Sequence, residues 1–309
     1  TGCRYLAENG CEMIEAQDRS VDGLAQAVRG VDALIVRTTR IPAPVIGAGH
    51  RLRVIARHGV GIDNIDVEFA TSRGVAVVTT PDASTNSVAE HVIGMMLALA
   101  KGFKLADRQV REGNWSYRNH FRPIEVTGKV LGVIGYGRIG RAVSRMAVLA
   151  FGMRVLVWDP FLPEMRLEVG MAAAGSLAEL LAESDFVTIH LALSPATRGL
   201  VGSAELALMK RTAFLINAAR GPIWDEDAVA AAIGAGNIAG AACDVFEPEP
   251  PDVTRRIFKE ERTILTPHNA ALTGDAMDRA ALCAAEEVVS WLNRREARFL
   301  ANPEVLRVI

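Results

Sequence analysis

The sequence predicts an α/β protein of two domains, each a doubly wound parallel sheet. The chain has 309 residues, about twice the usual length of one domain. Short β-branched apolar runs alternate with helix-like segments along nearly all of it, which is typical of parallel sheets. Half of the residues are hydrophobic and 23% are charged, as in chains that bury a large core.

The first series of strands lies near the N-terminus. The apolar runs Ala33–Val36, Arg53–Ala56 and Val75–Val78 are each bounded by Gly, Pro or charged residues. Such short runs with flanking turn signals predict buried parallel strands.

A long apolar helix is predicted from Ser87 to Leu105. Ser87 would be its N-cap, and Glu90 would complete a capping box three positions later. A helix this apolar has to be covered, so we expect it between the domains or against a second subunit. His91 lies on it and is expected to be a satisfied interior residue.

A second series of strands begins after Lys129. The predicted strands are Val130–Ile134, Arg154–Trp158, Phe186–His190, Ala213–Asn217, Ile238–Cys243 and Thr263–Thr266. A helix is predicted at Arg141–Phe151, and helix-like segments separate most of the other strands. This alternation predicts a second doubly wound sheet.

The last segment has too little strand content to form a third domain. It is helix-like as far as Asn302 and is expected to pack back on the first domain. We therefore predict a discontinuous first domain of residues 1–87 and 272–309, and a second domain of residues 88–271. The chain would cross between them near Thr85–Val88 and Ala270–Gly274.

A glycine motif follows the first strand of the second series. Gly135, Gly137 and Gly140 form the pattern GxGxxG between an apolar strand and a helix, which is the context of a Rossmann-like dinucleotide turn. Gly135 would allow the tight turn, Gly137 the approach of a pyrophosphate, and Gly140 close packing. The N–H groups of Arg138 and Ile139 would face the phosphates.

An aspartate ends the next strand. Asp159 follows Gly135 by 24 positions and precedes Pro160 and Phe161. A carboxylate here can accept hydrogen bonds from the adenosine ribose, and it would repel a 2′-phosphate. The sequence therefore favours NAD over NADP.

Composition argues against several other classes of protein. The net charge is −2, so a nucleic-acid surface is not expected. The longest apolar stretch, Val92–Ala100, is too short to span a membrane. The cysteines have neither disulfide-framework nor metal-ligand spacing and predict buried thiols in a reducing cytoplasm; they are Cys3, Cys11, Cys243 and Cys283. No signal peptide is visible, although the sequence starts at Thr1 rather than at a methionine.

Several further motifs occur together in one order. The motifs are Arg57–Asn64, Ser87–His91, Gly128–Gly135, Asn217–Gly221, Asp244–Pro250 and Thr266–His268. In this combination the chain resembles the D-isomer-specific 2-hydroxyacid dehydrogenases over nearly its whole length. The resemblance implies an NAD-dependent oxidoreductase that acts on a small D-2-hydroxy acid or 2-keto acid.

The resemblance assigns Arg220, Glu249 and His268 as the catalytic residues, and their chemistry suits that reaction. A planar guanidinium can bind a carboxylate in a fork and polarise a carbonyl. A histidine can donate a proton to the developing alkoxide and accept it in the reverse reaction. Glu249 would hydrogen-bond the other ring nitrogen and fix the tautomer.

The resemblance also implies roles around the catalytic residues. It places His190, Ala218 and Asp244 near the cofactor, with Asp244 close to the nicotinamide amide; contact between Asn217 and the cofactor is left open. The N–H groups of Val60 and Gly61 would bind the substrate carboxylate beside Arg220 and His268. Trp224 would either line the pocket or pack in the core.

Several alternatives remain open on the sequence. Glyoxylate or hydroxypyruvate is the expected substrate, and phosphoglycerate is an alternative if the arginines of the first domain bind a phosphate; these are Arg37, Arg40 and Arg57. A length of 309 residues leaves no room for the extra regulatory domain of many phosphoglycerate dehydrogenases, although some lack one. An NAD-sensing corepressor-like protein is the alternative from another class.

An isologous homodimer is also expected. The apolar helix and the segment after it, with Trp115, Tyr117 and Phe121, offer aromatic surface for such an interface. The resemblance favours the same assembly.

Overall fold

A computed structural model describes residues 1–161 and 167–308. The chain divides into two compact units. Unit 1 comprises residues 1–84 and the chain from Leu272 onward, and unit 2 comprises Thr85–Ala271. The chain therefore leaves unit 1 after Ser84 and returns to it after Ala271.

The strands form two parallel sheets. In chain order they are β1 (Ala33–Val36), β2 (Val54–Arg57), β3 (Ala76–Val78), β4 (Val130–Ile134), β5 (Arg154–Trp158), β6 (Met171–Ala173), β7 (Phe186–Ile189), β8 (Phe214–Asn217), β9 (Gly240–Cys243) and β10 (Thr263–Leu265). The sheet of unit 1 has the order β1-β2-β3, and the sheet of unit 2 has the order β10-β9-β8-β7-β4-β5-β6. These parallel sheets confirm the predicted α/β fold class.

In the described part of the chain, two α-helices precede β1, one follows β10, and the others lie between strands. In chain order they are α1 (Gly2–Glu8), α2 (Val21–Ala27), α3 (Ala43–Ala48), α4 (Val67–Ser72), α5 (Thr85–Lys101), α6 (Phe103–Arg111), α7 (Arg138–Phe151), α8 (Leu177–Glu183), α9 (Ser203–Leu206), α10 (Glu226–Gly234) and α11 (Gly274–Arg294).

Unit 1 has helices on both faces of its sheet. Ile55 and Val77 belong to one buried cluster with residues of α2, α3 and α4. Their sequence neighbours Val54, Ala56 and Ala76 belong to a second cluster with residues of α1 and α11. Neighbouring residues of a strand point to opposite faces, so continuous apolar strands suit a sheet that is covered on both sides.

Unit 2 repeats this arrangement on a larger sheet. Buried residues of α5 and α7 share one cluster with Leu131 and Val133 of β4. Buried residues of α8 and α10 share the other cluster with Ile189 and Leu215. The strand order reverses between β4 and β7, and ligands of such sheets bind at the carboxyl ends of the strands at this point.

The predicted helix of residues 87–105 is wrong at both ends. α5 begins at Thr85, so Ser87 is inside the helix and its hydroxyl donates to the Ala270 carbonyl instead of capping. Gly102 has φ +59 and ends α5, and α6 follows it. A left-handed residue interrupts the helical hydrogen-bond pattern, and glycine adopts this conformation most easily.

The buried face of the apolar helix α5 belongs to the core of unit 2. Val92 and Met96 pack there with residues of α7 and of the sheet. A seven-stranded sheet needs apolar cover on both faces, and α5 supplies part of it. Its apolar composition therefore reflects the core of unit 2.

Replacing Gly102 with alanine is expected to lower the free energy of unfolding by about 2–4 kcal/mol. The new Cβ would lie 2.2 Å from the Phe121 ring, which stacks on Tyr117, and the backbone would be strained at positive φ. Gly113→Ala is the matched control, because Gly113 also has positive φ but a Cβ there meets none of the described atoms within 4 Å. Urea denaturation that gives equal losses for both variants would show that Phe121 accommodates the methyl group.

Two smaller expectations also need correction. α7 begins at Arg138, directly after the glycine turn, and not at Arg141. The cysteines are not all buried: only Cys243 is, whereas Cys3 is exposed and Cys11 and Cys283 are intermediate. Cys3 lies on α1, a short helix that turns one face to solvent.

Candidate active site

The glycine turn after β4 has the conformation that its sequence predicts. Gly135 has φ +96, and a Cβ there would lie 2.9 Å from the backbone of His190 and Leu191. A Cβ on Gly140 would lie 2.1 Å from the Gly135 carbonyl oxygen. Neither position accepts a side chain without a backbone shift, so both glycines are required by packing.

The start of α7 is suited to an anionic ligand. Gly137 is the N-cap residue and provides no side-chain cap for the N–H groups of Arg138, Ile139 and Gly140. A Cβ on Gly137 would meet none of the described atoms within 4 Å, so space is open beside these donors. Open space at the N-terminus of a 14-residue helix fits a dinucleotide pyrophosphate.

Asp159 follows β5 and is bonded to the same turn. Its carboxylate accepts hydrogen bonds from the Tyr136 N–H at 2.8 Å and from the Phe161 N–H at 2.9 Å. A carboxylate has about four acceptor sites, so two of them satisfy the backbone and others suit ribose hydroxyls. Asp159 therefore also stabilises the glycine turn, which the sequence did not indicate.

His190 follows β7, which pairs with β4, and Asn217 ends β8, which pairs with β7. The His190 N–H donates to the Ile134 carbonyl at 2.7 Å, and burial lowers the pKa of the His190 ring to about 3. Asn217 donates to the Arg220 carbonyl and accepts from the Ala219 N–H. Its side chain therefore shapes the turn that carries Ala218 and Arg220.

Arg220 lies just beyond β8 and is partly buried. One Nη donates to the Ala219 carbonyl at 2.7 Å. The next residue, Gly221, passes so close to Phe246 that a Cβ would lie 2.5 Å from its carbonyl carbon. Trp224 is buried in the adjacent core. The Arg220 turn and the loop after β9 are thus packed together.

Glu249 and His268 form a hydrogen-bonded pair within unit 2. Glu249 Oε2 lies 2.7 Å from His268 Nδ1, and the Phe246 N–H donates to Glu249 Oε1 at 3.0 Å. The side chains are 38% and 46% exposed. With Nδ1 bonded to the carboxylate, Nε2 is the nitrogen left for proton transfer.

The electrostatics of Glu249 suit this pairing. Partial burial acts to raise the pKa of Glu249. The hydrogen bonds from His268 and from the Phe246 N–H outweigh burial, with a smaller contribution from the charge of Arg220, so the pKa lies below its ordinary value. Glu249 is therefore ionised near neutral pH and accepts the proton of Nδ1–H.

Asp244 is buried at the end of β9. Its carboxylate accepts hydrogen bonds from the Thr266 hydroxyl at 2.5 Å and from the N–H groups of Asn269 and Ala270 at 3.0 Å. His91 was expected to be an interior residue but is partly exposed. Its Nε2 lies 3.1 Å from Thr266 Oγ1. The sequence missed this network because its members lie far apart in the chain.

The loop of unit 1 that follows β2 is held by Arg57 and by Thr80, which follows β3. Arg57 donates to the carbonyl groups of Gly61 and His58, and the Gly59 N–H donates to Thr80 Oγ1 at 2.8 Å. Val60 is 46% exposed. The side chain of Arg57 thus shapes this loop.

Two of the three arginines considered for binding a substrate phosphate lie on the surface of unit 1. Arg37 and Arg40 are exposed. The described part of the chain contains no group of three or more His, Cys, Asp or Glu side chains suited to a metal ion. None of its helices combines the length and apolarity needed to cross a bilayer.

Comparisons with known proteins identify the family to which the chain is similar. The family model of the D-isomer specific 2-hydroxyacid dehydrogenase NAD-binding domain matches residues 93–270. A D-3-phosphoglycerate dehydrogenase of Methanocaldococcus jannaschii is 41% identical over 97% of this chain and 57% of its own length. A hydroxypyruvate reductase of Thermotoga maritima is 38% identical over 88% of each chain.

A solved structure is similar at the level of fold and sequence. The D-lactate dehydrogenase of Aquifex aeolicus, complexed with NAD and lactic acid, has a TM-score of 0.78 and 30% identity, covering 87% of this chain and 85% of that one. The chain spans just over half the length of the phosphoglycerate dehydrogenase it matches. Because the family model covers more than half of its residues and relatives above 30% identity cover most of it, this chain belongs to the D-isomer specific 2-hydroxyacid dehydrogenase family.

Proposed function

We propose that the chain is an NAD-dependent oxidoreductase that reduces a small 2-keto acid, such as glyoxylate or hydroxypyruvate, to the D-2-hydroxy acid. The observation that carries this proposal is the hydrogen bond between Glu249 and His268. The two residues follow β9 and β10, at the same carboxyl-terminal edge of the sheet as the glycine turn after β4. An oriented histidine beside a dinucleotide turn suits coupled transfer of a hydride and a proton.

The cofactor would be held by the turn and the strand ends of unit 2. The N–H groups of Arg138, Ile139 and Gly140 would bind the pyrophosphate, with Gly135 and Gly137 shaping the turn. Asp159 would bind the adenosine ribose. His190, Ala218 and Asp244, at the ends of β7, β8 and β9, would line the nicotinamide end. NADH, when bound, supplies the hydride.

Three side chains of unit 2 would act on the substrate. Arg220 would bind the carboxylate and polarise the C2 carbonyl through its planar guanidinium. His268 would donate the Nε2 proton to the C2 oxygen, and Glu249 would stabilise the imidazolium before that transfer. The backbone N–H groups of Val60 and Gly61 in unit 1 would bind the same carboxylate.

NADH consumption by the purified protein would test this function. Glyoxylate, hydroxypyruvate, pyruvate and phosphohydroxypyruvate would be compared at equal concentration. Rapid turnover of one acid is the expected result. Binding of NADH without turnover of any of them would contradict the proposal and support an NAD-sensing protein.

Phosphoglycerate is the second candidate substrate. It is favoured by the 41% identity to a D-3-phosphoglycerate dehydrogenase. Arg37 and Arg40 are exposed and could bind a phosphate, whereas Arg57 already bonds two carbonyl groups of its loop. Phosphohydroxypyruvate as the best substrate, with its KM raised in Arg37→Gln and Arg40→Gln variants, would establish this alternative.

We expect NADH to be preferred over NADPH, and Asp159 to decide the preference. Asp159→Asn is expected to reduce the ratio of kcat/KM for NADH to that for NADPH by about tenfold or more, because it removes the charge that repels a 2′-phosphate. The remaining amide oxygen can still accept the Tyr136 N–H. Asp159→Ala lacks that acceptor and should weaken binding of both cofactors. An unchanged ratio in both variants would remove Asp159 from cofactor selection.

We also propose a homodimer in a cytoplasmic location. Phe103 and Val110 of α6 are 59% and 58% exposed, and Trp115 beyond α6 is 66% exposed. A group of exposed large apolar side chains on one segment is typical of an interaction surface. Tyr117 and Phe121 stack on each other, so they contribute less exposed aromatic surface to the proposed interface than Trp115 does. The scattered spacing of the cysteines supports a reducing compartment.

Sedimentation velocity would test the dimer. The expected mass is that of two chains, and Val110→Asp is expected to shift the protein to one chain, because it places a charge in the proposed interface. Leu149→Asp is the matched control, since Leu149 is 84% exposed on α7. A wild-type protein that sediments as one chain at micromolar concentration would contradict the proposal.

A further inference from the structure

The loop that carries His268 is not in a relaxed conformation. His268 has φ 50, in the left-handed region that residues other than glycine rarely adopt. Such a conformation persists only where surrounding contacts over-determine it. The contacts that hold residues 266–270 therefore decide where the imidazole points.

Asp244 supplies the central contacts to this loop. It accepts hydrogen bonds from the N–H groups of Asn269 and Ala270, which follow His268, and from the Thr266 hydroxyl, which precedes it. The carboxylate is buried and thus poorly screened by solvent. It holds the loop on both sides of His268.

The direction of the hydrogen bonds at Thr266 follows from proton counting. A hydroxyl has one proton, and Thr266 donates it to Asp244 at 2.5 Å. Towards His91 Nε2, 3.1 Å away, Thr266 Oγ1 can therefore only accept. His91 carries its proton on Nε2, which also lies 3.7 Å from the Asp244 carboxylate.

Helix α5 contacts the loop at two points. At the start of the loop, His91 forms a hydrogen bond with Thr266. At the end of the loop, the Ser87 hydroxyl donates to the Ala270 carbonyl at 2.6 Å. Residues four apart lie on the same face of a helix. One face of α5 thus braces both ends of the loop, and the α5 backbone is anchored in the core of unit 2.

We propose that His91, assisted by Ser87, is a positioning residue that holds His268 in its catalytic orientation through Thr266 and Asp244. The inference rests on the proposed function, because it assigns His91 a part in the reaction of His268. His91 itself touches neither reacting atom in this assignment. Its effect is exerted through the loop, so it should alter kcat and leave cofactor binding unchanged.

Paired substitutions at His91 and Thr266 would test the proposal. His91→Leu and Thr266→Val remove the hydrogen bond, and kcat is expected to fall about tenfold, since small misplacements of a catalytic group are costly. His91→Gln and Thr266→Ser retain a donor and a hydroxyl and should recover kcat to within about threefold. His50→Leu, at an exposed histidine of unit 1, is the matched control. The Kd for NADH should be unchanged in the His91 and His50 variants. Thr266→Val also removes a hydrogen bond to the buried Asp244 carboxylate, so its thermal midpoint should fall.

A spectroscopic measurement separates this inference from the proposed function. The Nδ1 proton of His268, bonded to Glu249, should give a downfield proton resonance in protein labelled with ¹⁵N-histidine. The resonance should vanish or broaden in His91→Leu and Thr266→Val and persist in His91→Gln and Thr266→Ser. This holds even if no acid is turned over, in which case only the proposed function fails. A resonance unchanged in all four variants, or kcat values equal to that of the wild type, would overturn the inference.

Discussion

Replacing His268 with alanine is expected to lower kcat for reduction of the keto acid by about a thousandfold. The reason is that His268 Nε2 is the proposed proton donor and Glu249 occupies Nδ1 at 2.7 Å. A positioned general acid typically contributes a factor of 10²–10⁴. The affinity for NADH should be unchanged, because His268 does not contribute to the glycine turn after β4. Steady-state kinetics and a fluorescence titration with NADH would measure both quantities.

His50→Ala is the matched control for this variant and should retain full activity, because His50 is exposed in unit 1. Keto-acid reduction at the wild-type rate by His268→Ala would remove His268 from the mechanism. A parallel loss of NADH binding would instead indicate a structural role for the residue, and the role in proton transfer would be rejected.

Replacing Arg220 with lysine is expected to reduce kcat/KM for the keto acid by about a hundredfold, despite retention of the positive charge. A guanidinium forms two parallel hydrogen bonds to a carboxylate, whereas an ammonium acts as a single point charge. Loss of one hydrogen bond to a charged partner costs about 1.5–3 kcal/mol. The KM for NADH should change little, so the effect would appear in the kinetics of the acid alone.

Arg211→Lys is the matched control, because Arg211 is an exposed arginine whose Nε donates to the Gly236 carbonyl. Equal kinetics for the Arg220→Lys and Arg211→Lys variants would show that charge alone suffices at position 220. That result would contradict the bidentate role proposed for Arg220.

Much of the candidate site was predictable because its chemistry depends on residue type and order. GxGxxG between a strand and a helix requires a turn of known geometry, and Gly135 and Gly140 occupy it as that geometry demands. The pairing of Glu249 with His268 was expected from their motifs, and the side chains meet at 2.7 Å. Their roles in catalysis remain predictions until the variants are measured.

The errors have a common physical origin in contacts between distant parts of the chain. Ser87 lies in a sequence pattern that predicts an N-cap. Its hydroxyl instead donates to the carbonyl of Ala270, which is 183 positions away. His91 lies on an apolar helix and yet bonds Thr266. The break at Gly102 was missed because a glycine within a helix-like segment indicates a helix end only when its φ is known.

The sequence by itself predicted the alternation of strands and helices and the glycine turn, and its resemblance to a known family assigned Arg220, Glu249 and His268. Periodicity and residue chemistry act locally, so a short window of sequence carries that information. Only the tertiary structure decided which polar groups hold the His268 loop. That choice depends on the burial of Asp244 and on one face of α5, and such contacts exist only after the strands of unit 2 have assembled into one sheet.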